Sequence, residues 1–140
     1  LLAWFGSCLQ NRQLVVRIRN TLSQPFYQTS GVPQGSHLGP LLFLIFIDDI
    51  GKSFGGGVGH LMFADDLKVY SVVRSVGDCT ALQDSLSAMD GWCMGNNLHL
   101  NVGKCSVISF SRSASPIEFD YTIDGVPLRR KSVVRDLGVL

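Results

Sequence analysis

Apolar residues recur along this chain at two periods, and each change of period marks an element. Leu1, Leu2, Phe5, Cys8 and Leu9 fall at helical spacing, which predicts a helix over residues 1–11 that ends near Asn11, with Trp4 as a core residue. Val15, Val16 and Ile18 then read as a strand carrying Arg17 and Arg19, and Phe26 to Thr29 as its return after a loop at Asn20 to Pro25. Gly31, Pro33 and Gly35 punctuate a loop over Gly31 to Gly39. From near Leu38 to about residue 50 the pattern is helical again. Leu41, Leu42, Leu44, Ile45 and Ile47 make this helix apolar nearly all round, so it should be buried. Ser36 can cap it, and Pro40 is tolerated because a first turn needs no intrahelical N–H partner.

Gly51 to Gly59, with Gly55-Gly56-Gly57 at its centre, reads as a flexible surface loop. Leu61, Met62 and Phe63 are strand formers, and Leu67, Val69 and Tyr70 resume the pattern, so the break at Ala64-Asp65-Asp66 predicts a tight turn in a hairpin running to Val72. Leu82, Leu86, Met89 and Cys93 mark a helix from about Asp78, as N-cap, to Met94, with Gly95-Asn96-Asn97 as its stop; its methionines and Trp92 are expected in the core. Leu98, Leu100 and Val102 alternate, as do the residues from Ser106 to Ser111, which predicts two strand segments flanking Gly103-Lys104. Phe119 to Ile123, Asp124-Gly125 and Val126 to Leu128 predict a further hairpin with a type I′ turn. Val133 to Leu140 reads as a last strand.

Composition narrows what such a chain can be. At 140 residues and 46% hydrophobic it fits one domain or part of one, and the apolar content suggests surfaces meant to be covered. It opens without Met and its end reads as an unfinished strand, so a fragment is expected. The longest apolar run, Leu41 to Ile47, has seven residues, where a membrane span needs about 20, and no signal or transit pattern opens the chain; a soluble or peripheral protein, with no membrane partner, is expected. The four cysteines, Cys8, Cys79, Cys93 and Cys105, form no C-x-x-C pair and find no paired His, which argues for reduced, mostly buried thiols. Net charge is only +1, yet it is unevenly spread. Arg12, Arg17 and Arg19 share a segment without an acid, Arg129, Arg130, Lys131 and Arg135 form a second basic cluster, and the acids crowd the middle. Basic flanks around acidic residues suit a polyanion held beside metal-binding carboxylates, and ordinary solvated charges account for the pattern equally well.

Two acidic pairs compete as sites. Asp65 and Asp66 interrupt a hairpin, where neighbouring charges repel by roughly 1 kcal/mol or more, a cost that Mg²⁺ or Mn²⁺ with oxygen ligands would reverse. Turn chemistry is the commoner reason for a lone Asp-Asp pair. Asp48 and Asp49 follow the apolar helix, where carboxylates interact unfavourably with the dipole unless paired or solvated. The loop that opens into that helix points backbone N–H groups outward, which favours anions such as phosphates.

Context separates the pairs. SGVPQGSHLGPLLFLIFIDDI followed by FADD resembles the palm of a reverse transcriptase, and WFGSCLQNR, FADDLKVY, WCMGNNLHLNVGKC and VRDLGVL occur in the order expected for polymerases of non-LTR retrotransposons of the insect, jockey-like type. The likeness covers nearly the whole chain. It implies an α+β palm, an antiparallel sheet bearing a FADD hairpin and backed by the helices at about 38–50 and 78–94. The reaction it implies is RNA-templated addition of deoxynucleoside triphosphates to a DNA primer 3′-hydroxyl with two Mg²⁺ ions, Mn²⁺ being an alternative. Asp65 would be the stronger metal ligand and Asp66 its helper, and Asp48-Asp49 would not be the catalytic pair. Pro33, Gln34, Gly35 and Ser36 would meet the template base and the incoming nucleotide, Phe63 would join them in substrate binding, and Lys104 would act as an acid near the departing pyrophosphate. The strand from Val133 would lead to the primer grip, although the family often has Lys where Arg135 stands. Residues 14 to 30 hold no acid, so the family's preceding catalytic Asp is expected ahead of Leu1, in a chain that lacks most of the fingers and the thumb. The remaining partners implied are the rest of a retrotransposon polyprotein and an RNA template, in an intracellular protein of the nucleus with a cytoplasmic ribonucleoprotein stage. A non-catalytic, nucleic-acid-binding remnant of a decayed element and a group II intron-like enzyme are the alternatives.

Overall fold

The computed structural model describes residues 2–137 and divides the chain into two units, residues 1–47 and 48–140. In the first, α1 (Leu2–Leu9) ends where Asn11 takes a left-handed φ of 53°, a conformation that Asn tolerates after a helix. β1 (Arg12–Leu14), β2 (Arg17–Ile18), β3 (Thr21–Leu22) and β4 (Phe26–Gln28) then form one interrupted hairpin, β1 pairing with β4 and β2 with β3. The strand expected through Val15 to Ile18 breaks, and the chain returns at Thr21 instead of Phe26, because Arg19 at φ 55° closes a two-residue turn. Pro25 has no N–H for the ladder, and Ser23 fills the gap. Its N–H donates to the Val16 carbonyl at 2.8 Å and its hydroxyl accepts the Val16 N–H at 2.9 Å.

α2 (Gly39–Ile47) begins where the apolar run predicts, but only its ends, Gly39 and Ile47, are buried. Leu41, Leu44, Ile45 and Phe46 are between 44 and 62% exposed, so the expected burial of this helix is not found among the described residues. A helix that is apolar all round is covered only if packed on every side. Trp4, expected in the core, is likewise 55% exposed and makes an edge contact to Phe5 at 5.3 Å.

The second unit is built on α3 (Val76–Gly95). Its N-cap is Ser75, not Asp78 as the spacing suggested; Asp78 stands three residues on and completes a capping box, its carboxylate accepting the Ser75 N–H at 2.8 Å while the Ser75 hydroxyl accepts the Asp78 N–H at 3.3 Å. The helix stops as Gly95-Asn96-Asn97 predicts. Asn97, at φ 54°, donates to the Met94 carbonyl at 3.2 Å and Leu98 donates to Cys93 at 2.9 Å, the paired bonds of a Schellman motif. Cys79, Leu86, Met89 and Cys93 on the buried stripe form the core with Ile50, Tyr121 and Ile123. Trp92 packs against this core, whereas Met94 is 66% exposed.

Onto α3 are laid a 3-10 helix (Asp48–Ser53), the hairpin of β5 (Val58–Phe63) and β6 (Asp66–Ser71), and the small hairpin of β8 (Thr122–Ile123) and β9 (Val126–Pro127). Residues 51–59 are therefore not one loop. Gly51 continues the 3-10 helix, Gly59 is already in a strand, and between them the buried Ser85 hydroxyl accepts the Gly55 N–H at 3.2 Å. The turn at Asp124 and Gly125, φ 49° and 69°, has the two positive φ values of type I′, as predicted. Outside the β8–β9 ladder, the Gln83 side chain supplies what a neighbouring strand would: its amide donates to the Thr122 carbonyl at 2.9 Å and accepts the Thr122 N–H at 2.8 Å.

The strand expected at Leu98 to Val102 does not form; Val102–Lys104 is a 3-10 turn and Leu98, Leu100 and Val102 simply pack on the core. β7 (Ser106–Val107) is short and pairs in parallel with β10 (Arg129–Arg130). Residues 133–135 belong to no strand, and residues 138–140 of the predicted last strand lie outside the described residues. The architecture is α+β, but the described strands form five two-stranded sheets instead of one continuous sheet.

Candidate functional site

β5 and β6 pair in register from Val58↔Ser71 to Phe63↔Asp66, which leaves Ala64 and Asp65 as a two-residue turn. Side chains alternate across a strand, and Met62, Leu67 and Val69 pack on the core. Leu61, Phe63, Asp66, Lys68 and Tyr70 therefore share the outer face. Asp65 sits in the turn itself, while Asp66 opens β6, cross-strand from Phe63. Ala64 adopts φ 52°, a left-handed conformation that costs an alanine about 1–2 kcal/mol and that the surrounding ladder enforces. Tyr70 lies across the strand over Gly59, where an added Cβ would meet the ring at 2.5 Å.

Both carboxylates are exposed, and among the described residues neither side chain accepts a hydrogen bond or joins an ion pair. Two adjacent anionic groups with all their oxygens free have the donor chemistry of a hard divalent cation. Among the described residues no cluster of three or more His, Cys, Asp or Glu side chains forms. The rival pair is differently placed. Asp48 and Asp49 are the first residues of the 3-10 helix, and Asp49 accepts the Trp92 indole N–H at 3.1 Å.

In the first unit, Pro33 to Ser36 form a turn with Gln34 and Gly35 at its centre, and Gly35 at φ 79° fits the position of a type II turn that favours glycine. The Ser36 hydroxyl donates to the Pro33 carbonyl at 2.7 Å and accepts the Gly39 N–H at 2.9 Å, tying the turn to the start of α2. Gln34 projects without a hydrogen bond among the described residues and is exposed. Arg12 does not face outward as a phosphate ligand would. Its guanidinium donates to the Gly31 carbonyl at 2.6 Å and so holds the entry to this loop, while Arg17 and Arg19 remain exposed.

Lys104 closes the Val102–Lys104 turn and is exposed, and it forms no ion pair with Asp65 or Asp66. Of the C-terminal basic cluster, Arg130 is exposed but engaged, donating to the Phe119 carbonyl at 2.7 Å and to the Ser109 hydroxyl. All four cysteines are free, and burial pushes the Cys93 and Cys105 thiols up, away from nucleophilic use. The sequence reading missed one feature of the site, an ion pair between Lys68 and Asp136. Strand alternation alone puts Lys68 beside Asp66, but nothing local in the sequence names a partner so far along the chain.

A family model described as reverse transcriptase (RNA-dependent DNA polymerase) matches residues 2–139. The chain belongs to the reverse transcriptase family. It is 31% identical to a probable RNA-directed DNA polymerase from transposon BS of Drosophila melanogaster over 95% of its length, and 30% identical to the RNA-directed DNA polymerase from mobile element jockey of Drosophila funebris over 94%. A probable RNA-directed DNA polymerase from transposon X-element of Drosophila melanogaster is 31% identical over 98%. These relatives support the expected likeness to reverse transcriptases of non-LTR retrotransposons. The chain spans 16%, 15% and 16% of their respective lengths. No solved structure matches this reverse transcriptase chain at a significant level. Among its described residues no helix is long and apolar enough to cross a membrane.

Proposed function

We propose that this chain is the acid-bearing palm segment of an RNA-directed DNA polymerase from a non-LTR retrotransposon, a partial reverse transcriptase domain within a longer polyprotein. The observation that carries the reading is the β5–β6 hairpin. It presents Asp65 in its turn and Asp66 on its outer face, with both carboxylates free. Asp65 and Asp66 would hold Mg²⁺ or Mn²⁺, completed by ligands beyond the described residues. Divalent metal bound there supplies activation of the primer 3′-hydroxyl and charge stabilisation at the departing pyrophosphate. Asp65 is the principal ligand, because the enforced turn fixes its backbone, and Asp66 is the second. Phe63, cross-strand from Asp66, offers an apolar surface for a sugar or base. Gln34 and Gly35 meet the template base and the incoming nucleotide, with Pro33 and Ser36 holding their turn. Lys104 protonates pyrophosphate as it leaves. RNA template, DNA primer and deoxynucleoside triphosphates are the substrates, and the work is done in the nucleus after a cytoplasmic ribonucleoprotein stage.

The test uses the full-length polymerase that carries this chain. Asp65→Asn removes charge but not shape and should lower kcat for primer extension by about a hundredfold or more while leaving template binding intact. Asp48→Asn should be mild by comparison. Equal losses in the two variants under saturating Mg²⁺ would reject the assignment of the acidic pair, and retention of full activity by Asp65→Asn would reject the palm reading itself.

A further inference from the structure

Lys68 stands two residues after Asp66 on the same strand, so the two share the outer face with Cα atoms about 6.5–7 Å apart. A lysine stem spans that distance easily, and an ammonium resting on Asp66 would occupy the oxygens a divalent cation needs. It does not rest there. The Lys68 ammonium pairs with Asp136, and this is the ion pair found among the described residues. The partners' side chains are 43% and 48% exposed, and an ion pair so wet adds little to stability. As a strut between the hairpin and residues 133–137 the contact is therefore weak. What it does set is the direction of one positive charge.

We propose that Asp136 is a positioning residue that draws Lys68 off the acid pair, so that Asp65 and Asp66 keep their full negative charge for cation binding. The inference rests on the reading of those two acids as metal carboxylates. The local charges show how it works. Lys68 and Asp136 cancel each other, and the charge of Asp65 and Asp66 is left uncompensated. Without Asp136 the same lysine neutralises half of it. Asp136 acts only through Lys68, which makes its effect conditional on the lysine.

That condition is the test, carried out on the full-length polymerase with wild type, Asp136→Asn, Lys68→Gln and the double variant. Mn²⁺ binding is followed by loss of the free-ion electron paramagnetic resonance signal, and the Mg²⁺ midpoint of primer extension is measured beside it. Asp136→Asn should weaken Mn²⁺ binding and raise the Mg²⁺ midpoint by about fivefold, the scale of one partly screened charge. The double variant should regain the wild-type values, Lys68→Gln should not weaken binding, and Asp136→Glu should behave as wild type. Because both side chains are about half exposed, melting temperatures should stay together across the set. A double variant that keeps the Asp136→Asn defect, or a Lys68→Gln defect equal to it, makes the pair a strap and overturns the inference. If instead Asp65→Asn leaves Mn²⁺ binding unchanged, the metal reading has failed, and the inference falls with it by a separate measurement.

Discussion

Ala64→Gly should make the acid-bearing hairpin more stable and the polymerase slower. Ala64 is the first residue of the two-residue turn and lies at φ 52°, where an L-residue carries about 1–2 kcal/mol of steric strain. Glycine removes that strain but brings a freer unfolded chain, which costs about 0.5–1 kcal/mol. The difference is a gain of about 0.5–1 kcal/mol, so amide hydrogen exchange across residues 58–71 in the full-length polymerase should slow about two- to fivefold. Turnover moves the other way. Glycine widens the backbone range at the turn, so on the proposed reading of Asp65 as a metal ligand its carboxylate is held less tightly and kcat should fall by up to about tenfold. Ala64→Val is the control on the other side, since a β-branched residue at positive φ should speed exchange and lower stability. Faster exchange in Ala64→Gly would refute the strain argument, and an unchanged kcat would show that the turn does not position Asp65.

Gln34→Ala should change nucleotide kinetics by about tenfold with the melting temperature held, because the side chain is exposed and makes no hydrogen bond among the described residues; a large fall in melting temperature with unchanged kinetics per folded molecule would make it structural. Gln83→Leu strips partners from both backbone groups of Thr122 and should destabilise the β8–β9 hairpin by about 2–4 kcal/mol, read as faster exchange over residues 119–128. Asp78 is held below its ordinary value chiefly by the Arg74 N–H, then by the Ser75 hydroxyl and N–H. Its folded pKa being lower than its unfolded one, the cap's contribution is complete above the ordinary carboxylate range and is lost as pH falls through the lowered value. Opening at the N-terminus of α3, measured by exchange, should therefore grow with acid in the wild type and be independent of acid in Asp78→Asn.

What could be read in the sequence was what short-range chemistry decides. The Asp124-Gly125 turn, the Asn97 stop and the α3 stripe each depend on residues within one or two turns of each other, and each appears as predicted. The hairpin around Asp65 follows from two flanking apolar runs. The structure departs from these expectations where a second residue, distant or near, settles the outcome. Leu98, Leu100 and Val102 alternate like a strand, yet no described strand pairs with them and they pack on the core instead. Ser75 outcompeted Asp78 as the cap because a hydroxyl and a carboxylate three apart satisfy each other, a pairing that scanning for one good cap residue overlooks. Gly51 and Gly59 looked like loop residues because glycine is permissive, but at both a ring occupies the space a Cβ would need: His60 lies at 2.9 Å from that position at Gly51 and Tyr70 at 2.5 Å at Gly59.

The same limit shapes the candidate site. Asp65 and Asp66 could be singled out because an adjacent acid pair in an apolar hairpin is costly wherever the chain goes, so the sequence itself carries the anomaly. Lys68 carries no such mark, being one more charged residue on an exposed strand face. Only its ion pair with Asp136 separates a charge that would quench the acids from one that leaves them available. Hydrophobic pattern is blind in a parallel way at α2: it reports that Leu41, Leu44 and Ile45 prefer to be out of water, and says nothing of what would cover them. A preference is local to the residue, whereas its satisfaction depends on a second surface. An adjacent acid pair is therefore legible in a sequence before the partners that draw neighbouring charges away from it.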